Sequence, residues 1–458
     1  MEQTVPTIWT ILAVGLVLAV VLPGFSRRPT GRGFFLSRRT AGPVTLAASL
    51  TATCLGATAT IGMVGRAYRL GWPAFWWLGA GALGLVLLGL VWGPRMRADA
   101  AVRTLPQWAE TVYGPPARVL SALLIAIMWI AVIAAQWVAT ATVMNALFGL
   151  SLGTGIVASA GVVSAYTAWG GQPSVLRTDR LQVLLISAAI LTPLLFLGGL
   201  EARVASPGAT DFATTSPIQI LAVLVVVGGM YVVGPDLCSR VLLARDRAAI
   251  RRGALVAGLF LAVAGVLLTA IGVAIRQAGV ELASAREALP WLLGKSGVVP
   301  APAGYLINAG LLAATLSSAD TCLLTVASVV ELDLCGRRHD EQEQRRFGRI
   351  FVVLAGGLAA WVAWWNPRII PNLLLAYAFY AGGLLAPLLL LRFPDVARRI
   401  PRPLVWSAMA VGGGLPIWLL LNRTVSDYAV AGLWGCLCSA TILLVGWLAR
   451  AGMTEETT

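Results

Sequence analysis

Long apolar runs almost free of charge recur along this chain, and no other feature narrows its fold so much. The stretch 73–93, PAFWWLGAGALGLVLLGLVWG, holds no charged residue, and neither does 216–235, SPIQILAVLVVVGGMYVVGP. About 20 apolar residues in a helix cross the roughly 30 Å hydrocarbon core of a bilayer. A helix satisfies its own backbone hydrogen bonds there, so such runs predict an all-α integral membrane protein. Thirteen transmembrane helices are expected, over 6–24, 43–65, 73–93, 117–148, 153–170, 179–200, 216–235, 253–276, 303–333, 346–366, 370–391, 403–421 and 427–449. The rest of the sequence agrees: 58% of the 458 residues are hydrophobic and 12% are charged, against about 25% charged in soluble domains.

The net charge of +14 would suggest nucleic acid on a soluble protein. Here the arginines cluster in the short loops between apolar runs, so lipid is the expected partner and nucleic acid is not. With the N-terminus outside and the C-terminus cytoplasmic, 26 of the 34 Lys and Arg fall on the inner side, as the positive-inside rule requires. This reading places a multi-pass protein in the inner (plasma) membrane. The first segment is not expected to be a cleaved signal peptide, because Glu2 precedes it and arginines follow it. A single transporter domain over 1–458 is expected, with a core over about 41–395 and peripheral helices at 6–24, 403–421 and 427–449. The 277–302 loop is expected to carry a short extracellular helix from Glu281 to Leu293, and 335–349 to be a solvated cytoplasmic loop. Cys54, Cys238, Cys322, Cys335, Cys436 and Cys438 form no CxxC pair and read as small packing residues. The single histidine, His339, lies in a charged loop, which argues against a His-based metal site.

The second segment reads SLTATCLGATATIG from Ser49 to Gly62. Glycine weakens its helix, threonine hydroxyls can satisfy freed carbonyls, and broken helices near the midplane bind ions and substrates in transporters. Close packing through small residues is the structural alternative. The ninth segment carries Ala314, Thr315, Ser317, Ser318, Asp320 and Thr321. Polar groups are costly there without partners; they offer oxygen ligands to a hard cation, or the serines bond back to their own helix. Asp179, in RTDR, reads on its own as an interfacial charge paired with a neighbouring arginine. Gly228 and Gly229 offer a second helix break.

These stretches together resemble the sodium:solute symporter family. The resemblance rests on FFLSRRTAGPVTLAASLTATCLGATATIGMVGRAYRLGW from Phe34, TLPQWAETVYG from Thr104, YTAWGGQPSVLRTDRLQ from Tyr166, GPDLCSRVLLARD from Gly234, AATLSSADTCLLTVAS from Ala313 and LLLAYAFYAGGLLAPLLL from Leu373. It implies a leucine-transporter-type fold: a 5+5 inverted-repeat core, from the second to the eleventh segment, with one helix before and two after. It implies sodium as the coupling ion, with no organic cofactor, held by the carbonyls of Ala52, Leu55 and Ala314 and the hydroxyls of Ser317 and Ser318. Asp179 matches an acidic residue near the ion exit path or a second sodium site. The implied solute pocket is lined by Cys54, Thr58, Ala59, Gln136 and Tyr231. Several of these are smaller and less polar than is common in the family, which argues against a usual sugar.

The expected function is therefore secondary active transport, with inward sodium flow driving uptake of a small organic solute by alternating access. Proton coupling through Asp179 or Asp320, an uncoupled carrier of the same fold, and a solute sensor remain open at this stage. A membrane enzyme would need acids, His or Cys gathered at one face, and the sequence offers no such cluster.

Overall fold

The computed structural model describes residues 4–25, 34–35, 39–98, 102–199, 213–294, 296–335, 341–367 and 369–455. His339 lies outside the described residues. Helices dominate: α1 (Thr4–Val21), α2 (Pro43–Cys54), α3 (Ala57–Leu70), α4 (Trp76–Leu87), α5 (Leu105–Tyr113), α6 (Pro115–Phe148), α7 (Leu152–Leu191), α8 (Pro217–Val233), α9 (Pro235–Leu243), α10 (Arg247–Gln277), α11 (Ala301–Val329), α12 (Glu341–Trp365), α13 (Ile369–Tyr380), α14 (Arg402–Leu421) and α15 (Tyr428–Glu455). No strand is present among the described residues, only an isolated bridge between Ala41 and Ala244.

Local chemistry sets many of the boundaries. Proline opens α2, α6, α8 and α9, where its missing N–H costs no helical bond. Thr104 caps α5 by accepting from Gln107 N at 3.2 Å. Ser216 and Gln219 form a capping box on α8. Asp246 caps α10 by accepting from Ala249 N at 2.7 Å, and that bond holds its carboxyl below the usual carboxylate range.

Ten helices among the described residues are long and apolar enough to cross a membrane, and the bent pair Pro43–Cys54 and Ala59–Leu70 makes up to eleven. This differs from the thirteen expected in two places. The fifth and sixth segments lie within one 45-residue span, Leu152–Phe196, interrupted at Gly171 (φ 55°, ψ −152°), in the gap expected between 153–170 and 179–200. At about 1.5 Å per residue it would be over twice as long as the hydrocarbon core is thick, so the interruption matters. A Cβ at Gly171 would lie 2.6 Å from the Phe34 carbonyl oxygen, which accepts from Gln172 N at 2.8 Å. At the N-terminus, only the shorter Val14–Phe25 stands out as apolar. Two loops are also shorter than expected. The helix expected from Glu281 to Leu293 spans only Ala288–Gly294 after a 3-10 turn at Ala285–Glu287, and α12 already begins at Glu341.

Two groups of helices build the core. α4 packs on α8, and α10 packs on α2, α3 and α4. In the second group α11 packs on α6 and α7, with α12 behind them. The groups meet where α2 touches α7 and α11, and where α9 touches α11. The first helix of each half is broken: α2/α3 at Leu55–Gly56 and α8/α9 at Gly234 (φ −61°, ψ 127°). Gly228 and Gly229, expected at the second break, remain helical within α8. They serve close approach instead: a Cβ at Gly84 would fall 2.4 Å from the Gly228 carbonyl oxygen, and one at Gly229 would fall 2.6 Å from Leu385.

Candidate ion and solute site

The break in α2/α3 follows from its sequence. α2 ends as Leu55 N bonds the Thr51 carbonyl at 3.1 Å, with Leu55 outside helical geometry (φ −96°, ψ 49°) and Gly56 extended (φ −73°, ψ −167°). The last carbonyls of a helix have no partner one turn on, so oxygen atoms from the end of α2 are left for other partners. Gly56 permits the opposing wall to come near. A Cβ there would stand 2.5 Å from Ser318 Oγ and 2.9 Å from Gln136 Nε2.

Ser318, on α11, donates across this gap to the Thr53 carbonyl at 3.0 Å. Of the implied ion ligands, Ala52, Leu55, Ala314 and Ser317 are fully buried and Ser318 is nearly so. The break and α11 are thus joined at the expected hydroxyl. Ser317 turns elsewhere: its Oγ donates to Asp179 at 2.7 Å. Thr53 Oγ1 is buried with no hydrogen-bond partner among the described residues. Carbonyl and hydroxyl oxygens with one carboxylate nearby suit a small hard cation, and the orphaned Thr53 hydroxyl supplies one more oxygen beside them. Among the described residues no three His, Cys, Asp or Glu side chains gather into a metal cluster.

Asp179 is not interfacial. It is completely buried and accepts from Ser49 Oγ on α2 at 2.5 Å and from Ser317 Oγ. Its ionic partner is Arg240 on α9 at 3.7 Å, also fully buried, while the neighbouring Arg180 donates to Thr45. The sequence reading failed because the partner lies 61 residues away in the chain and is brought in by the fold. Arg240 also donates to Thr321, and Asp320 accepts from Tyr166 Oη at 2.7 Å. One guanidinium and two carboxylates are therefore buried within a few residues of Ser317 and Ser318. Gln182 is a residue the sequence reading passed over. It lies one turn beyond Asp179 on α7, is fully buried, and has neither amide atom partnered among the described residues. The only sequence signal was its place at the end of the TDRLQ stretch.

A cavity of about 50 Å³ adjoins the break. Cys54, Gln136 and Tyr231 line it, as expected, together with Ser318, Trp77, Trp129, Asp236 and Tyr377. Ala59 is buried beyond the break and is not part of the lining. The side chain of Thr58 lies outside the described residues. This volume holds a water or two, not an organic solute, so the centre is closed. A roomier cavity of about 220 Å³ lies toward the N-terminal end of α11, where Ile61, Thr142, Tyr305 and Asn308 contribute to its wall.

The sequence profile of the sodium:solute symporter family matches residues 34–393. The sodium/pantothenate symporter of Escherichia coli (strain K12) is 26% identical over 436 residues, covering 87% of each chain. The high-affinity proline transporter of Bacillus subtilis (strain 168) is 26% identical over 425 residues, again covering 87% of each. Among solved structures, a Na+-coupled sialic acid symporter in a substrate-bound outward-open state superposes with a TM-score of 0.81 at 17% identity, covering 97% of both chains. A nucleobase-cation-symport-1 family transporter in a closed conformation follows at 0.63 and 17%, covering 93% of this chain and 96% of that one. At these identities the superpositions speak for a shared fold.

Proposed function

The chain belongs to the sodium:solute symporter family, with a leucine-transporter-type fold, and from that premise we propose how it couples sodium to uptake of a small organic solute. It is a secondary active transporter and not an enzyme. Sodium, as cargo, occupies the space between the α2/α3 break and α11. Its ligands are the carbonyls of Ala52, Leu55 and Ala314 and the hydroxyls of Ser317 and Ser318. The observation carrying this reading is the Ser318 Oγ to Thr53 carbonyl bond across the break. Among the described residues it directly links an orphaned helix end to the polar tract of α11, and a cation inserted there replaces a single weak bond with several oxygen contacts.

Asp179 ties Ser49, Ser317 and Arg240 together, so it senses the ion through Ser317 and transmits it to α2 and α9. The solute binds beside Cys54, Gln136 and Tyr231 once the cavity expands, with Thr58 and Ala59 on the same arm. The two helix groups then rock about the site. The chain lies in the plasma membrane as a single transporter domain, N-terminus outside and C-terminus cytoplasmic, so the negative interior adds about 2.3 kcal/mol per sodium per 100 mV.

Uptake in reconstituted vesicles tests the assignment. Ser318→Ala removes a hydroxyl worth about 1–1.5 kcal/mol, so the sodium concentration for half-maximal uptake rises roughly tenfold while the purified protein keeps its helical signature. Ser317→Ala is expected to act in the same direction. Unchanged sodium dependence in both variants would remove the site from where it is placed here.

A further inference from the structure

The central cavity lacks any basic side chain in its lining, yet one guanidinium stands directly behind its wall. Arg66, on α3, lies with its Cζ 5.5 Å above the Trp77 ring. Trp77 lines the cavity and stacks on Tyr377, also in the lining, at 6.1 Å between centroids and 12° between planes. Three elements thus converge at one edge: α3 brings the cation, while α4 and α13 bring the rings. Arg66 is half-buried and forms no hydrogen bond or ion pair among the described residues. The carboxylate whose field reaches it is Asp427, but that group is taken up by Gln219 Nε2 at 3.1 Å, Ala429 N at 2.8 Å and Val430 N at 3.1 Å.

A guanidinium has five N–H donors in a fork suited to a carboxylate. Held against a tryptophan face in a membrane protein, it keeps a cation–π partner but no acceptor. Simple snorkelling to the interface is the structural alternative. Two facts weigh against it: the residue does not reach full exposure, and the ring it rests on belongs to the solute cavity. We propose that Arg66 is a specificity-determining residue that recognises a carboxylate on the transported solute, so that the substrate class is a small organic carboxylate. When the Trp77–Tyr377 edge parts, the guanidinium leaves the ring for the solute's carboxylate, and the solute's body takes up the space lined by Cys54, Gln136 and Tyr231. This rests on the symporter reading above and narrows it to a substrate class.

The test uses simple probes on the purified full chain, in sodium and in potassium. Thermal stability and tryptophan fluorescence are followed while propionate or benzoate is titrated, with propionamide and benzamide as neutral isosteres. Wild type is expected to respond to the carboxylates in sodium, at least about tenfold more strongly than to the amides, as fits a charge-assisted hydrogen bond. Arg66→Gln should lose that preference and Arg66→Lys should keep part of it. Equal responses to acid and amide in wild type, no response to either, or a preference surviving in Arg66→Gln would each overturn the proposal. Stabilisation by sodium alone is read in the same samples. If it persists in Arg66→Gln, the sodium site stands whatever the probes do, and if it is missing in wild type, the symporter reading fails separately.

Discussion

At the scale of single residues, position in the chain says little about a buried charge until its partners are known. Asp179 illustrates this. Beside two arginines in RTDR it looks like a surface ion pair, yet it is bonded to Ser49 and Ser317 and paired with Arg240. The resemblance to the family's ion helix singled out Ser318, whose hydroxyl bonds the Thr53 carbonyl across the break; that Ser317 bonds the Asp179 carboxylate was not legible, because the two side chains leave α11 in different directions. Asp179→Asn keeps one acceptor oxygen for the two serine hydroxyls, puts an amide donor in place of the other, and leaves Arg240 charged and buried without its paired carboxylate. Breaking a buried pair costs about 3–5 kcal/mol, so the variant should lose thermal stability and show a weakened link between sodium concentration and uptake, with solute affinity at saturating sodium less affected. Wild-type melting and wild-type sodium dependence together would show that Asp179 carries neither load.

Element by element, hydrophobic length and helix punctuation reveal most of the fold. Proline openings and polar caps fall where α5, α6, α8 and α10 begin, and the soft SLTATCLGATATIG stretch does break. Glycine serves two ends, and the sequence alone does not say which. Gly228 and Gly229 looked like a break but serve close packing, whereas Gly171 holds a conformation almost reserved for glycine in the gap the sequence leaves between 153–170 and 179–200. Gly171→Ala would strain the backbone by about 1–3 kcal/mol and push a Cβ against the Phe34 carbonyl; a clear fall in melting temperature is expected, and an unchanged one would mean the interruption can be straightened. The bridge at Ala41–Ala244 adds a mechanical link. Ala41 N donates to Leu243 O and Arg245 N to Ala41 O, both at 3.0 Å, so the entry to α2 is fastened to the exit of α9. Spin labels at Thr40 and Arg245 should therefore keep their separation with and without sodium, while the distance from either to α7 changes. A separation at 40–245 that shifts with sodium would uncouple the two half-helices.

Over the whole molecule, a chain so apolar must spend its few polar residues where they act, and the structure gathers them between two helix groups. The membrane-embedded, all-helical class followed from composition alone, since backbone hydrogen bonding leaves helices few rivals in lipid. The number of crossings did not follow, because apolar length cannot tell one kinked span from two. The closed 50 Å³ centre fits a carrier whose binding space opens only as the groups move. The most direct check is equilibrium binding of radioactive sodium to the purified protein, comparing wild type with Ser318→Ala and with Thr325→Ala, two turns further along α11, as a control. Saturable binding in wild type, weakened about tenfold by Ser318→Ala and untouched by Thr325→Ala, is the expected result. Saturable binding that Ser318→Ala leaves intact, or none in wild type, would contradict a cation held between the broken helix and α11.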